Sequence, residues 1–378
     1  MGNCACEIHF NNYDAESVID QEIIGGKEKN SNTPIEKNSN TTPNLKDESN
    51  WKKLFDKQLH EIGDYIPNNE FQNLFNERIT RIIQKNKLKF NYTPKVSTTS
   101  LDPIRFKNNN NIYKGSWNRN NEMEGYGLYY IEDKKMITEG IWRKGNLIYG
   151  RIFFPNGDVY EGEIKNSSPD GKGKFTYSNE DTYEGDFIQG EMTGEGSFIY
   201  NDDKTVYRGQ VENGTFNGEG TMKWENGTEY TGNFSESSLN GKGIITNNQR
   251  EKYDGNFDRN EFHGEGTYYY NNGDKYIGNF EYGIKRGEGK YITKNGAVFT
   301  GNWNDDLPNG SGELSLGDKK IEGIWRNGKY VGNEEFGGEN YIDTNIKPNK
   351  YTIYPSSLPH LTYMDSNVSQ FFLGNDFI

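Results

Sequence analysis

Three groups of residues in this 378-residue chain have types and spacings that could carry chemistry. The first opens the sequence, as "MGNCAC". A glycine behind the initiator methionine, Gly2, is the position at which N-myristoylation occurs, and Cys4 and Cys6 stand where palmitoylation usually follows. One myristoyl chain holds a protein at a bilayer only marginally, whereas a second lipid makes residence stable. Cys6 takes the place where the acylation pattern usually has Ser or Thr, so an unmodified start stays open as an alternative. A metal site from Cys4, Cys6 and His9 lacks a fourth ligand.

The second group is titratable. His9, His60, His263 and His360 are scattered, and no Ser-His-Asp set, metal-ligand cluster or calcium loop appears. Acids recur at Glu161, Asp186, Glu195, Glu219 and Glu288, positions that read as a solvated outward face. Carboxylates on an open surface lack the pocket that raises one pKa above another, so acid–base catalysis is not expected. The third group is a repeated Gly-x-Gly: Gly171/Gly173, Gly194/Gly196, Gly218/Gly220, Gly241/Gly243, Gly264/Gly266, Gly287/Gly289 and Gly310/Gly312. A phosphate-cradling loop is singular, lies between a strand and a helix, and carries a lysine or third glycine at fixed spacing. These pairs recur, are flanked by strand patterns and lack that lysine. They read as scaffold, and the chain reads as non-enzymatic, without cofactor or metal.

Apolar residues are only 31% of the chain, aromatics are 14%, and there are 45 glycines. Leu, Ile and Val are too few to fill a large core, so burial must come from rings spread along an extended repeat. Residues 1–112 hold 15 basic and 15 acidic side chains, and the remainder holds 28 against 41, which is the whole net charge of −13. An acidic array repels nucleic acid and anionic headgroups. Two cysteines and no disulfide framework fit a reducing, cytosolic compartment. No signal peptide and no run of 18 apolar residues is present.

Units begin at Tyr113, Thr138, Tyr160, Tyr183, Tyr207, Tyr230, Tyr253, Tyr276, Phe299 and Ile321, spaced by 22 to 25 residues. In "YDGNFDRNEFHGEGTYYYNNGDK", Tyr253, Gly255 and Phe257 share one strand face by their period of two, and Asp254 and Asn256 the other. After a loop, Gly264, Gly266, Tyr268 and Tyr270 share a face of a second strand, and Asn272-Gly273 offers the positive-φ pair of a two-residue turn. Bare backbone at Gly255, Gly264 and Gly266 is expected to leave slots for rings of neighbouring strands. The fifth-position aromatic recurs as Trp117, Trp142, Phe187, Phe234, Phe280, Trp303 and Trp325. One hairpin cannot bury such a face alone, so the units must stack. The fold class expected is all-β: an elongated, twisted antiparallel meander of stacked hairpins, of the order of 90 Å for about twenty strands.

Tyr-x-Gly-x-aromatic followed by Gly-x-Gly at a 23-residue period resembles the MORN repeat (membrane occupation and recognition nexus), most closely in "YEGEIKNSSPDGKGKFTYSNEDT" from Tyr160. The resemblance covers about Tyr113 to Phe336. In the second and last units, Gly150 and Gly332 stand for the pair, with Ile152 and Glu334 in place of the other glycine. The resemblance implies an extended β-meander. It also implies roles like those of similar proteins at membrane–cytoskeleton junctions, in cilia and flagella, and in cortical assemblies. Other such arrays precede phosphatidylinositol-phosphate kinase or methyltransferase domains, and no such domain is encoded here, so regulation in trans is the alternative.

The expected organisation is an acylated tether over 1–48, a helical hairpin over 49–91, a linker over 92–112, an array of about ten units over 113–336 and a capping tail over 337–378. The tether is polar and asparagine-rich and spans roughly 36 Å root-mean-square. Trp51, Leu54, Phe55, Leu59 and Ile62 form one helical stripe, and Phe71, Leu74, Phe75, Ile79, Ile82 and Ile83 a second, with Pro67 between and Asn69 as a cap. Arg78 to Lys107 carries eight basic residues against Asp102, which leaves a second membrane contact or a calmodulin-like target open beside packing on the array. The tail bears Phe371, Phe372, Phe377 and Ile378 and is expected to cover the last strand. These features point to a scaffold on the cytosolic face of a membrane, at the plasma membrane, cortex or cilium. Its partners would be cytoskeletal or ciliary proteins, with no nucleic acid and no small-molecule substrate.

Overall fold

The computed structural model describes residues 63–85, 94, 96 and 98–333. Gly2, Cys4, Cys6, the stripe from Trp51 to Ile62 and the tail over 337–378 lie outside them. The described residues fall in two compact units, 63–192 and 193–333.

In residues 63–192, strands β1 (Gly63–Tyr65), β2 (Thr98–Ser100) and β3 (Ile104–Phe106) precede β4 (Ile112–Asn118), β5 (Met123–Ile131), β6 (Met136–Arg143), β7 (Asn146–Phe153), β8 (Val159–Lys165), β9 (Ser168–Thr176) and β10 (Thr182–Ile188). From β4 to β10 each strand pairs antiparallel with the next. The expected linker contributes strands: β2 and β3 both pair with β4, and β1 pairs with β3. Gly63–Tyr65, between the two expected stripes, is extended, and the second helical stripe is broken into α1 (Asn68–Gln72) and α2 (Glu77–Lys85). Asn69 lies inside α1 and does not cap it, because the N-cap position is Pro67, which offers no side-chain hydrogen bond. The capping residue is Asn76, whose Oδ1 accepts the Ile79 N–H at 2.8 Å.

The boundary between units falls within β11 (Glu191–Ile199). Residues 193–333 continue through β12 (Val206–Glu212), β13 (Thr215–Lys223), β14 (Glu229–Ser235), β15 (Ser238–Thr246), β16 (Lys252–Asp258) and β17 (Glu261–Tyr269). Then come β18 (Lys275–Glu281), β19 (Ile284–Ile292), β20 (Val298–Asn304), β21 (Leu307–Leu316), β22 (Lys319–Arg326) and β23 (Lys329–Gly332). Every neighbour pairs antiparallel. The described residues are all-β apart from two short helices, an antiparallel meander of hairpins. The ten expected starts lie in β4, β6, β8 and so on by alternate strands to β22.

The turns are the reverse of the expectation. Only Gly273 of Asn272-Gly273 has positive φ, and β17 and β18 are joined by a longer loop held by Asp274 O to the Tyr270 N–H at 3.0 Å. The two-residue turns with both φ positive join the strands within a unit, as at Arg259 (47°) and Asn260 (70°). An Asn-Gly pair is a turn signal, but the five-residue loop needs only one left-handed residue, and Gly273 supplies it.

Candidate functional site

One sheet face carries the first-position tyrosines, and it is closed by its own rings. Tyr113, Tyr160, Tyr183, Tyr207, Tyr230, Tyr253 and Tyr276 are fully buried. The rings of Tyr113, Tyr183, Tyr230, Tyr253 and Tyr276 meet the fifth-position aromatic of their own unit edge-to-face, whereas Tyr160 and Tyr207, whose fifth positions are Ile164 and Val211, meet Phe187 and Phe234 of the next. Tyr253 stands 5.2 Å from Phe257 and 5.1 Å from Phe280, and Tyr276 5.1 Å from Phe280 and 5.0 Å from Trp303. This geometry sets a positive ring edge against a negative ring face. Every one of these seven hydroxyls donates to the carbonyl oxygen three residues on, at 2.6–3.2 Å. In β12, β14 and β16 that residue lies at the bulge, where the ladder to the next strand shifts register. A buried hydroxyl must find a partner, which explains tyrosine over phenylalanine. Burial holds the hydroxyls of Tyr230, Tyr253 and Tyr276 protonated well above the ordinary tyrosine range.

The glycines divide into two roles. Gly255 and Gly266 face each other across β16 and β17, and a Cβ on Gly266 would stand 2.5 Å from the Tyr253 ring. Gly173, Gly220, Gly243 and Gly289 stand equally close to Tyr160, Tyr207, Tyr230 and Tyr276, and Gly312 to Phe299. The ring in each slot belongs to the same unit. Gly264 has open space instead, its nearest side-chain atom being Asn256 Nδ2 at 3.7 Å, but its φ is +64°. Gly171, Gly194, Gly218, Gly241, Gly287 and Gly310 likewise have φ between 65° and 114°. They serve the bulge, not the slot. The asparagine immediately before the fifth-position aromatic reinforces it: Asn233 and Asn256 Nδ2 donate to the carbonyls of Lys242 and Glu265 at 3.2 and 3.1 Å. Gly196 pairs with Gly209 in the same slot register.

The unit from Thr138 departs from this plan. Gly150 pairs with Gly140 and so occupies the second glycine's position, which moves the vacant first position to Ile148 instead of placing the second at Ile152. Thr138 replaces the tyrosine, and its buried hydroxyl has no partner among the described residues. On the opposite, outer face of this unit lies a buried charge cluster that sequence reasoning missed. Arg151 Nη1 is 3.1 Å from Glu139 Oε2 and its Nε 2.7 Å from Glu161 Oε2, with Arg151 and Glu139 almost fully buried. Tyr126 donates to Glu139 Oε1 at 2.5 Å, and burial raises the Glu139 carboxyl despite that bond and Arg151. Glu161 and Asp186 are thus ion-paired, the latter to Lys172 at 2.7 Å. Only the strand register, which sets Glu139, Arg151 and Glu161 side by side, could have revealed the cluster.

The outer face differs between the two units. In residues 63–192, α1 and α2 lie on it: Ile79, Ile82 and Ile83 of α2 pack around Phe71, Ile112, Tyr130, Ile137 and Phe153. The face of α2 that a calmodulin-like partner would need is therefore engaged. Of the basic segment, Arg105 pairs with Glu70 at 2.6 Å and Lys107 with Asp64 at 3.6 Å. In the strands of residues 193–333, no residue on the outer face is buried, and Ile199, Ile244, Tyr269 and Ile277 are each about two-fifths exposed (43, 39, 40 and 40%). His263 Nδ1 is buried without a partner and its ring lies 5.3 Å from Tyr282; the other histidines lie outside the described residues. Among the described residues, no helix is long and apolar enough to cross a membrane, and no three His, Cys, Asp or Glu side chains converge as a metal site.

A ladder of tyrosine, paired glycine and a fifth-position aromatic, renewed every two strands, defines a repeat protein of stacked hairpins. The MORN repeat model matches eight segments, 113–135, 160–182, 183–205, 207–229, 253–275, 276–298, 299–319 and 322–333, and the chain is a MORN-repeat protein. The hairpins from Thr138 and Tyr230 fall outside those matches, although the second keeps the Gly232–Gly243 pair and the Tyr230 hydroxyl bond. No curated protein matches the chain. Among solved structures, it is similar to the TCP10 domain of Danio rerio CPAP in complex with a peptide of Danio rerio STIL. The identity there is 14%, over 53% of this chain and 96% of that one, with a TM-score of 0.33. It is also similar to the TCP10c domain of Drosophila melanogaster Sas-4, at 12% identity over 46% and 91%, with a TM-score of 0.20. Likenesses this low establish neither partner nor activity for this chain.

Proposed function

We propose that this protein is a non-enzymatic scaffold, held on the cytosolic face of a membrane through acyl groups at Gly2, Cys4 and Cys6. Its sheet would be presented to protein partners of a cytoskeletal, ciliary or cortical assembly. The observation that carries the scaffold reading is the division of labour between faces. The first-position tyrosines and the paired glycines are consumed by the ladder, while the strands of residues 193–333 keep no outer-face side chain buried. Supporting the anchor are the position of Gly2 and the two adjacent cysteines, which together supply two lipids. The acidic array argues against direct attraction to anionic headgroups.

Fractionation of cells expressing the full chain and its Gly2→Ala variant tests the anchor. Wild type is expected with membranes and the variant in the soluble fraction. Equal distribution of the two would remove acylation from the proposal. Affinity capture from detergent extract tests the scaffold, with recurrent cytoskeletal proteins expected and a lipid kinase pointing instead to regulation in trans.

A further inference from the structure

The outer face of residues 193–333 is not uniformly polar. Register places Tyr269, Ile277, Ile292 and Val298 in one patch over β17 to β20: Ile292 and Val298 are direct cross-strand partners, and Ile277 is diagonal to both Tyr269 and Ile292. Lysines are set in and beside it. Lys275 lies between Tyr269 and Ile292, opposite both, Lys252 is on the other side of Tyr269, and Lys290 is opposite Ile277. Lys252 is engaged by Asp254 at 3.0 Å and lies over the Tyr269 ring at 5.4 Å. Lys275 and Lys290 form no ion pair among the described residues. An apolar patch studded with lysines is notable on a chain of net charge −13.

The other unit shows what this face accepts. There an amphipathic helix with an isoleucine stripe packs against a cluster that holds Ile112, Tyr130, Ile137 and Phe153, one residue from each of four consecutive strands. The patch over β17 to β20 spans roughly 14 Å at the usual strand spacing, which matches about ten residues of helix. Resting on the scaffold reading above, we infer that this patch is a docking site for an acidic amphipathic helix of a partner protein, its apolar stripe on Tyr269, Ile277, Ile292 and Val298 and its carboxylates on Lys275 and Lys290. Charge complementarity selects the occupant. The chain's own α2 carries Arg78, Arg81 and Lys85 beside its isoleucines, so the equivalent helix of a second copy would meet like charge.

The test is binding of the full chain to 18-residue helical peptides, read by fluorescence anisotropy. One has a leucine stripe at i, i+4, i+7 and i+11 flanked by glutamates, one the same stripe flanked by lysines, and one the acidic composition scrambled. The acidic peptide is expected to bind at least tenfold more tightly than the others. Tyr269→Ser with Ile277→Ser should weaken it at least tenfold, and Lys275→Glu with Lys290→Glu should do the same while raising affinity for the lysine-flanked peptide. Tyr269, Ile277 and Lys290 are exposed and Lys275 is half-buried, and an unchanged melting temperature checks that each variant is folded. Equal binding of the three peptides, or indifference to both variants, overturns the inference. So does a tenfold gain in affinity on truncation after Asn333, which would make the C-terminal segment the occupant, or patch-dependent retention on phosphatidylserine vesicles, which would make it a membrane. If partners captured from extract stay with the Tyr269→Ser, Ile277→Ser variant while the peptide does not bind, the scaffold reading stands and the patch falls.

Discussion

The two units of this chain build the same ladder on one face and treat the other face in opposite ways. Around residues 63–192 the outer face is roofed by α1 and α2, and side chains there reach the exposure of a protein interior, Phe71 and Ile112 at 1%. Along residues 193–333 the corresponding face leaves Ile244, Tyr269 and Ile277 about two-fifths exposed. The ring ladder therefore suffices to hold a meander of hairpins without a second layer. A second layer is an addition that can be present on one stretch and absent from another. It follows that ladder residues should matter in both units, whereas outer-face residues should matter for stability only where something covers them.

The largest effect expected tests that second half. Phe71→Ala removes a fully buried ring and should cost about 3–5 kcal/mol, read as a lowered urea midpoint. Ile277→Ala, at a comparable apolar position of the uncovered face, should stay within about 0.5 kcal/mol. A large loss from Ile277→Ala would mean that the face is already covered in the isolated protein, and the contrast between the units would collapse.

The next effect separates the two glycines of a pair. Gly266→Val drives a branched side chain into the Tyr253 ring and should cost about 3 kcal/mol. Gly264→Ala meets no atom closer than 3.7 Å and loses only the left-handed backbone preference, about 1–2 kcal/mol. Equal losses would mean that both glycines do the same job. Smaller again is Tyr253→Phe, which keeps the ring and its edge-to-face neighbours but deletes the bond to the Asn256 carbonyl. The expected cost is about 1 kcal/mol. No loss at all would leave the preference for tyrosine in this place without its explanation.

Most of this was legible because it repeats. Period two within a strand and about 23 residues between units placed Tyr253, Gly255 and Phe257 on one face and set the ten strand pairs. What repetition could not show is how a glycine is used. Gly264 and Gly266 look alike in sequence, and only the bulge, which turns the backbone at Gly264 to positive φ, distinguishes them. Asn272-Gly273 misled for a similar reason: turn chemistry marks a reversal without fixing its length. The break in the second helical stripe was hidden because Leu74 and Phe75, between α1 and α2, continue its apolar spacing, and the Glu139–Arg151–Glu161 cluster was invisible because its members are 12 and 10 residues apart and meet only through strand register.

The smallest expected effect is a change of slope with pH, and it comes from one place where the ladder is broken. At the position held by Phe216, Leu239 and Phe262 in three other units, the unit from Tyr276 has Lys285, fully buried between the Tyr270 and Tyr276 rings at 5.5 and 5.6 Å. Burial lowers its pKa, and Asp306 Oδ1 at 3.4 Å only partly opposes this. The unfolded chain then binds more protons than the folded one between the depressed pKa and the ordinary lysine value near 10.5, so stability contributed by this site rises with pH across that window. The tyrosines act in the other sense. Their folded pKa values are raised, so their contribution is complete below pH 10 and is lost above it as the unfolded chain ionises first. Thermal melts from pH 8 to 11 should therefore show a shallow rise and then a steep fall. Lys285→Met should abolish the rise and leave the fall untouched; a rise that survives the substitution would place its origin elsewhere than in this buried ammonium.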